Sequence, residues 1–201
     1  MKLRTWHWAS GISIILIAIA IASYWIMSGP NVPQEFSEAR IKGAEIAEEI
    51  LAQQANTLQT LEKIAQFDKA RNTAQALILI SEEVIRNREA NSKAIKLSSQ
   101  LQRMASALTS IKPNIAQTLA TQAVTSEVSL VSRLLSYNDY LSQLFEVLKD
   151  KFEGKATYTT TKIQDLINNI NDEVKAINDL NKDFTYALNS FDALFIDGVA
   201  R

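Results

Sequence analysis

The sequence predicts an all-α protein, in which a single N-terminal transmembrane helix is followed by an antiparallel, up-down bundle of four long helices with coiled-coil-like packing. Three observations support this fold class. The 201 residues include only five glycines and three prolines, whereas average usage would give about 24 of the two together. Apolar residues recur at spacings of three and four between residues 34 and 196, which is the periodicity of amphipathic helices. An uncharged apolar stretch near the N-terminus is long enough to cross a bilayer.

Residues 1–28 are predicted to form a membrane anchor with a short cytoplasmic tail. The stretch from Trp6 to Met27 has 22 residues, which as a helix span about 33 Å, against roughly 30 Å for the hydrocarbon core of a bilayer. Aromatic residues at both ends of such a stretch are typical of the membrane interface. Here they are Trp6 and Trp8 at one end and Tyr24 and Trp25 at the other.

The charges beside this segment predict its orientation. Lys2 and Arg4 precede it, which favours a cytoplasmic N-terminus at the plasma (inner) membrane and an extracytoplasmic domain over residues 34–201. The alternative is a secreted protein, cleaved near Ala22, because residues 20–22 match the A-x-A cleavage pattern. We favour the anchor because the apolar run continues to Met27, beyond the about 7–15 residues of a signal-peptide core.

Residues 29–33 form a breaker segment, and helices one and two are predicted over residues 34–70 and 73–111. The apolar positions of helix one, at spacings of mostly three, four and seven, include Ile46, Ile50, Leu51, Leu58, Leu61 and Ile64. The boundary at residues 70–72 contains neither glycine nor proline. It depends on Asn72 as an N-cap, with Gln75 three residues later as in a capping box. Without this turn, helices one and two would form one continuous rod of about 115 Å.

Helices three and four are predicted over residues 114–153 and 161–196. Pro113 and Gly154 mark the ends of helix three, and Thr161 with Gln164 matches a second capping box at the start of helix four. Four helices of similar length with short connections predict an up-down bundle. The turn at residues 70–72 and the loop at residues 154–160 would then lie together at the tip far from the membrane. Helix three carries a heptad run of apolar residues: Leu130, Leu134, Tyr137, Leu141, Leu144 and Leu148.

Composition excludes several functional classes. The absence of cysteine and the presence of one histidine exclude disulfide frameworks and thiolate or multi-histidine metal sites. A net charge of -1 argues against a nucleic-acid partner. No catalytic motif is present, so we predict no catalytic, cofactor-binding or metal-binding residue.

The predicted function is therefore non-enzymatic, that of an envelope scaffold or protein-interaction module held at the membrane. Its expected partners are the lipid bilayer and a protein of unknown identity, with a homo-oligomer as a further option. The alternative is a ligand-binding or sensory bundle that signals through a partner protein.

A few polar and aromatic residues are candidate contact sites. A basic stretch near the predicted membrane-proximal end could bind anionic headgroups, although cations are also favoured near the C-terminal end of a helix. Tyr158 in the tip loop is a candidate partner contact. The asparagines at positions 87, 91, 138 and 181 could line a ligand pocket or could set the register of the helices, and we favour the second role. The basic stretch comprises Lys93, Lys96, Arg103 and Lys112.

Overall fold

The computed structural model describes residues 32–155 and 160–196, and within these ranges four long helices pack together. They are α1 (Gln34–Lys69), α2 (Thr73–Ala107), α3 (Asn114–Phe152) and α4 (Thr160–Ile196), with a short 3₁₀ helix at Leu108–Ser110. The all-α prediction is confirmed. No helix in the described part of the chain is long and apolar enough to cross a membrane. The predicted interface residues Trp6, Trp8, Tyr24 and Trp25, and the tip residue Tyr158, lie outside the described residues.

Contacts between side chains show how the helices run. Lys93 of α2 lies 3.1 Å from Glu49 of α1, and α1 and α2 are joined by a turn of three residues, so the two are antiparallel. The end of α1 and the end of α3 lie together, because Lys151 donates a hydrogen bond of 2.5 Å to Asp68. The turn after α1 and the turn after α3 therefore occupy one end of the bundle, as the sequence predicts.

The bundle consists of two helical hairpins. α1 packs closely on α2, α3 packs closely on α4, and α2 joins the hairpins by packing on α3. In contrast, the backbones of α1 and α4 seldom approach within 8 Å of each other. They meet through side chains at one end, where the rings of Phe36 and Phe191 are 5.7 Å apart. The seam between α1 and α4 is thus the loosest of the bundle.

The buried positions follow a strict heptad pattern. In α1 they alternate between spacings of four and three, which is the pattern of a coiled-coil seam. The predicted heptad run of α3 is also buried throughout, which confirms the coiled-coil-like packing. The predicted stripe of α1 was partly wrong, because Leu51 and Leu58 are only partly buried at the border of the core. The residues at the centre of the α1 seam are Phe36, Arg40, Gly43, Ala47, Ile50, Gln54, Thr57, Leu61 and Ile64.

A Schellman motif separates α1 from α2. The amide of Asn72 donates to the carbonyl of Phe67 and the amide of Arg71 donates to that of Asp68, the two backbone bonds that define this motif. Arg71 adopts a φ of 56°, a conformation that usually belongs to glycine. The Oδ1 of Asn72 accepts a bond of 3.3 Å from the amide of Gln75. The predicted Asn72 cap is confirmed, and the continuous rod is wrong.

One predicted boundary differs from the structure by more than one residue, and one predicted cap is wrong. α2 ends at Ala107 and not at residue 111, because its last turn tightens into the 3₁₀ helix and Ile111 is extended. The extended backbone lets Ile111 bury its side chain completely. Thr161 is not an N-cap, because α4 already begins at Thr160. Its predicted partner Gln164 donates forward, to Asn168.

Candidate functional sites: a cavity with a buried glutamate and an exposed face of α2

A partly open cavity lies between the four helices. Its volume is about 30 Å³. All four helices contribute to the wall, with most of the residues from the α1–α2 hairpin. The wall includes Gly43 and Ala47 of α1, Leu97 and Met104 of α2, Glu127 of α3 and Phe184 of α4. The cavity is therefore lined mainly by apolar side chains.

Small residues on α1 create this space. Gly43 and Ala47 occupy core positions of the heptad seam, and Ala44 beside them also lines the cavity. Larger side chains at these positions would fill the layer, as the leucines at positions 97 and 101 do on the facing helix. A Cβ added to Gly43 would lie 3.5 Å from Leu97 Cδ1, so the backbone of α1 does not require glycine here.

Among the ionisable groups that line this cavity, Glu127 has the fewest interactions with other side chains. Its side chain is 3% exposed, and Oε2 has no hydrogen-bond partner in the described part of the chain. Burial disfavours the charged form of a carboxyl group, and it raises the pKa of Glu127 from 4.5 to about 7. The carboxyl group can therefore change its charge near neutral pH.

Arg40 is the other charged residue that lines the cavity. Its two terminal nitrogens donate to the two carboxylate oxygens of Asp192 on α4, each at 2.7 Å. Such a bidentate pair holds the guanidinium in a fixed orientation. Because Asp192 balances the charge of Arg40, the three groups together leave one net negative charge when Glu127 is ionised.

A second group of buried polar side chains lies nearer the tip, and Glu83 at its centre interacts through one carboxylate oxygen with a hydroxyl group, while Oε1 has no hydrogen-bond partner in the described part of the chain. Glu83 of α2 accepts a bond of 2.8 Å from the hydroxyl of Thr57 and lies 3.4 Å from Arg86. Burial, and then the charge of Glu83, raise the pKa of Tyr137. Glu83 is completely buried, like Glu127, but it interacts with both neighbours, so it serves packing and register.

The buried asparagines support the prediction that they set the register of the helices. The side-chain amide of Asn87 donates across the α2–α3 interface to the backbone carbonyl of Asn138 and to the hydroxyl of Ser142, each at 2.7 Å. Neither asparagine lines the cavity. A single buried amide can fix the alignment of packed helices, and Asn87 is placed to do so here.

Two of the four residues in the predicted basic stretch form ion pairs, and the other two are exposed to solvent. Lys93 pairs with Glu49 at 3.1 Å, and Arg103 lies 3.8 and 3.7 Å from Glu35 and Glu38 at the start of α1. These acids come from another helix, which the sequence pattern did not reveal. Lys96 and Lys112 are exposed. Headgroup contact by these four residues stays a prediction.

The acidic residues of α4 do not gather into a metal site. Within the described residues no group of three or more acidic or histidine side chains is arranged to hold a metal ion. Glu173 instead lies 3.4 Å from Arg133 on α3. Asp172 and Asp183 are exposed, as expected for a solvated face.

An apolar strip lies on the outer face of α2, near the tip. Of the seven large apolar side chains exposed in the described part of the chain, three belong to this helix. Ile78 and Ile85 are 50% and 59% exposed, and they lie seven residues apart, which places them on the same face two turns apart. The third is Ile95.

Sequence reasoning missed Glu127, although a signal was present. Glu127 stands at a core heptad position of α3, three residues before Leu130 and four after Ala123. The predicted heptad run of helix three began at Leu130. Glu127 lies on the same face, but it was not predicted to be buried. Extending the heptads of helix three toward its N-terminus would have identified a buried acid.

Comparison with protein-family models, with curated proteins and with solved structures finds no match for this chain.

Proposed function

We propose that this chain is a non-enzymatic, membrane-anchored, extracytoplasmic protein that acts as an envelope scaffold or protein-interaction module. The anchor is supported by the apolar stretch from Trp6 to Met27, with basic residues before it and aromatic residues at both ends. The helical bundle would stand on the membrane at the start of α1 and present its far end to a partner.

The observation that carries this function is the apolar strip of α2. Single exposed aliphatic side chains are common on protein surfaces, whereas exposed apolar side chains that share one face are a feature of interaction sites. Ile78 and Ile85 share the outer face of α2, two turns apart with the polar Ser81 and Glu82 between them, and no helix of the described bundle covers them. A partner helix that packs on this face would bury both side chains, and each isoleucine fully buried contributes about 1.5–3 kcal/mol.

The location of the strip near the tip supports a role in which the bundle presents this surface to a partner protein. α1 has 36 residues, so it spans about 54 Å from the predicted membrane surface to the tip. Ile78 lies five residues after the start of α2, close to the tip. The bundle would therefore act as a spacer that carries its contact surface away from the bilayer.

Site-specific photo-crosslinking in intact cells tests this proposal. A photo-crosslinking residue at position 85 is expected to capture one defined partner, and the added substitution Ile78→Asp is expected to abolish the capture. A photo-crosslinker at the exposed position 169 on α4, also in the tip half, is the matched control. Equal capture from positions 85 and 169, or capture that survives Ile78→Asp, would contradict the proposed contact surface.

The predicted topology has a clean test because the chain contains no cysteine. In a Ser92→Cys variant, the new thiol would lie on an exposed position of α2. A membrane-impermeant maleimide should label it in intact cells without prior lysis. Labelling only after lysis would place the bundle on the cytoplasmic side and overturn the proposal.

A second candidate function is a ligand-binding or sensory bundle that signals through a partner protein. The cavity with Glu127 is the specific observation that favours it. This function is compatible with the scaffold, because the cavity and the outer strip of α2 are separate surfaces.

A further inference from the structure

We propose that the partner of the exposed face of α2 is a second copy of this chain, whose own α2 packs on this face in the antiparallel direction. This inference rests on the proposed function, because it names the partner of the same surface. Two observations carry it together. Exposed isoleucines recur on this face at the spacing of a coiled coil, and the charges beside them complement an inverted copy of the same helix.

The outer face of α2 has the pattern of a second coiled-coil seam. Ile78 and Ile85 lie one heptad apart, and Ile95 follows ten residues after Ile85, so the three occupy positions a, a and d of one heptad register. Their side chains are between 50% and 61% exposed, and the buried residues of α2 lie on the other side of the helix. Ser81 and Ser99 belong to the same seam, and their small side chains leave room for a second helix.

An inverted copy brings the isoleucines together when the two helices meet at residue 90, the midpoint of α2 (Thr73–Ala107). Ile85 and Ile95 each lie five residues from this midpoint, so each Ile85 is placed opposite Ile95 of the other copy. The two helices then overlap along all 35 residues, which is the largest contact that this face offers. The same patch serves both copies, as in other two-fold symmetric interfaces.

The charges at the edge of the seam favour this direction. Glu82, Glu89 and Lys96 follow one another at intervals of seven residues, so they lie along the same edge. Glu82 precedes the midpoint by eight residues and Lys96 follows it by six. In the inverted copy, Glu82 therefore lies within one helical turn of Lys96 of the other chain, and the contact occurs twice.

The residues beside the two-fold axis also have opposite charges. Arg88 of each copy lies within one turn of Glu89 of the other, so the two Arg88 side chains balance the two Glu89 side chains that approach each other there. A parallel copy would instead place Arg88 against Arg88 at a seam position. Arg88, Glu89 and Lys96 are exposed and form no ion pair within the described part of the chain, so their charges are available to a partner.

An antiparallel pair has a consequence for the proposed membrane anchor. Each bundle would stand on its membrane at the start of α1, so an inverted copy would have its anchor at the opposite end of the pair. Two copies joined through α2 would therefore stand on two facing membranes. They would hold these membranes about one bundle length apart, which is about 54 Å for the 36 residues of α1.

Vesicle clustering tests the proposal with the full chain. Phosphatidylcholine vesicles that carry the reconstituted protein should cluster, as measured by dynamic light scattering. The charge reversals Glu82→Lys and Lys96→Glu should each weaken the association at least about tenfold, because each turns two attractive contacts of the symmetric pair into two repulsive ones. Vesicles with Glu82→Lys mixed with vesicles with Lys96→Glu should cluster again, since opposite charges then meet at both contacts. Glu146→Lys, at an exposed glutamate of α3, is the matched control and should cluster like the wild type.

Cysteine crosslinking in the same vesicles tests the direction, because the chain contains no cysteine. Ser81 and Ser99 each lie nine residues from the midpoint of α2, so vesicles with Ser81→Cys should form disulfide-linked dimers with vesicles that carry Ser99→Cys. Within vesicles that carry Ser81→Cys alone no such dimer should form, and its formation would indicate a parallel pair and overturn the proposal.

The clustering assay has three further outcomes that would overturn the proposal. They are the absence of clustering by the wild type, equal binding of its vesicles to protein-free vesicles, and failure of the mixed charge-reversed vesicles to recover. If position 85 still captures one defined protein other than this chain, the contact surface of the proposed scaffold stands and only the second copy fails. Equal capture from positions 85 and 169 would instead remove both.

Discussion

The substitution Glu127→Gln should change how the stability of the bundle depends on pH. Glutamine keeps the shape of the side chain and removes its ionisable proton. In the native protein the carboxyl group is buried, and Oε2 has no hydrogen-bond partner among the described residues. Folding therefore favours the protonated form of Glu127.

The sign and size of the effect follow from the pKa of Glu127. Burial raises this pKa from 4.5 to about 7, so between these pH values the folded state holds a proton that the unfolded state has released. The free energy of unfolding therefore falls as the pH rises from 4.5 to 7, and Glu127 adds no further change above that range. At about 1.4 kcal/mol per pH unit, the expected loss is about 3 kcal/mol. Glu127→Gln removes this loss, so the variant should gain about 3 kcal/mol relative to the wild type between pH 4 and pH 8.

Urea unfolding followed by circular dichroism at a series of pH values measures this difference. The other carboxylates titrate in both proteins, so subtracting one curve from the other isolates Glu127. Glu146→Gln, at an exposed glutamate on the same helix, should run parallel to the wild type. Parallel curves for Glu127→Gln, or a gap that widens toward acidic pH, would refute the argument that burial controls this group.

Three further substitutions test other parts of the bundle. Arg71→Gly should stabilise the protein by about 0.5–1 kcal/mol, because Arg71 has a φ of 56° that glycine adopts without strain; a lower midpoint of thermal unfolding would contradict this. Gly43→Ala should also stabilise by about 0.5–1 kcal/mol through helix propensity, since the added Cβ meets Leu97 at an ordinary 3.5 Å, and urea unfolding should show the gain. Asp192→Ala should destabilise by about 2–3 kcal/mol, because it leaves the buried Arg40 without its bidentate partner. Replacing Arg40 and Asp192 together by leucine should recover most of that loss in the same urea assay, and no recovery would show that the pair itself is not the cause.

The sequence predicted the helices well where apolar residues marked them. α3 and α4 were located to within one residue at each described boundary, because Pro113 and Gly154 mark the ends of α3 and large apolar residues mark the core face of α4 and of the second half of α3. The turn between α1 and α2 was also predicted, from the Asn72 cap alone. In these places local propensity and long-range packing favour the same answer, so one sequence is sufficient to find it.

The predictions of core positions were wrong where those positions are not occupied by large apolar residues. The centre of the α1 seam contains Arg40, Gly43 and Gln54, and no apolar pattern marks these positions. The predicted stripe therefore missed them and included the bordering Leu51 and Leu58. The end of α2 was placed too late because the extended backbone of Ile111 depends on what it packs against and not on its own propensity. The partners of Lys93 and Arg103 lie on another helix, so only the three-dimensional arrangement could identify them.

The two buried glutamates of the core differ in how well their interactions with neighbouring side chains account for their burial. Glu83 and Glu127 both occupy heptad core positions, and both are nearly or completely buried. Glu83 interacts with Thr57 and Arg86, so its polar atoms contribute to the alignment of the helices. Oε2 of Glu127 has no hydrogen-bond partner among the described residues, and at neutral pH and above this side chain costs the bundle about 3 kcal/mol of a total that is typically about 5–15 kcal/mol for a domain. A bundle that served only as a spacer would gain stability from leucine at this position. The glutamate lies where small residues of α1 leave space between the helices and beside the loosely packed α1–α4 seam, so its cost falls on the least tightly packed part of the core.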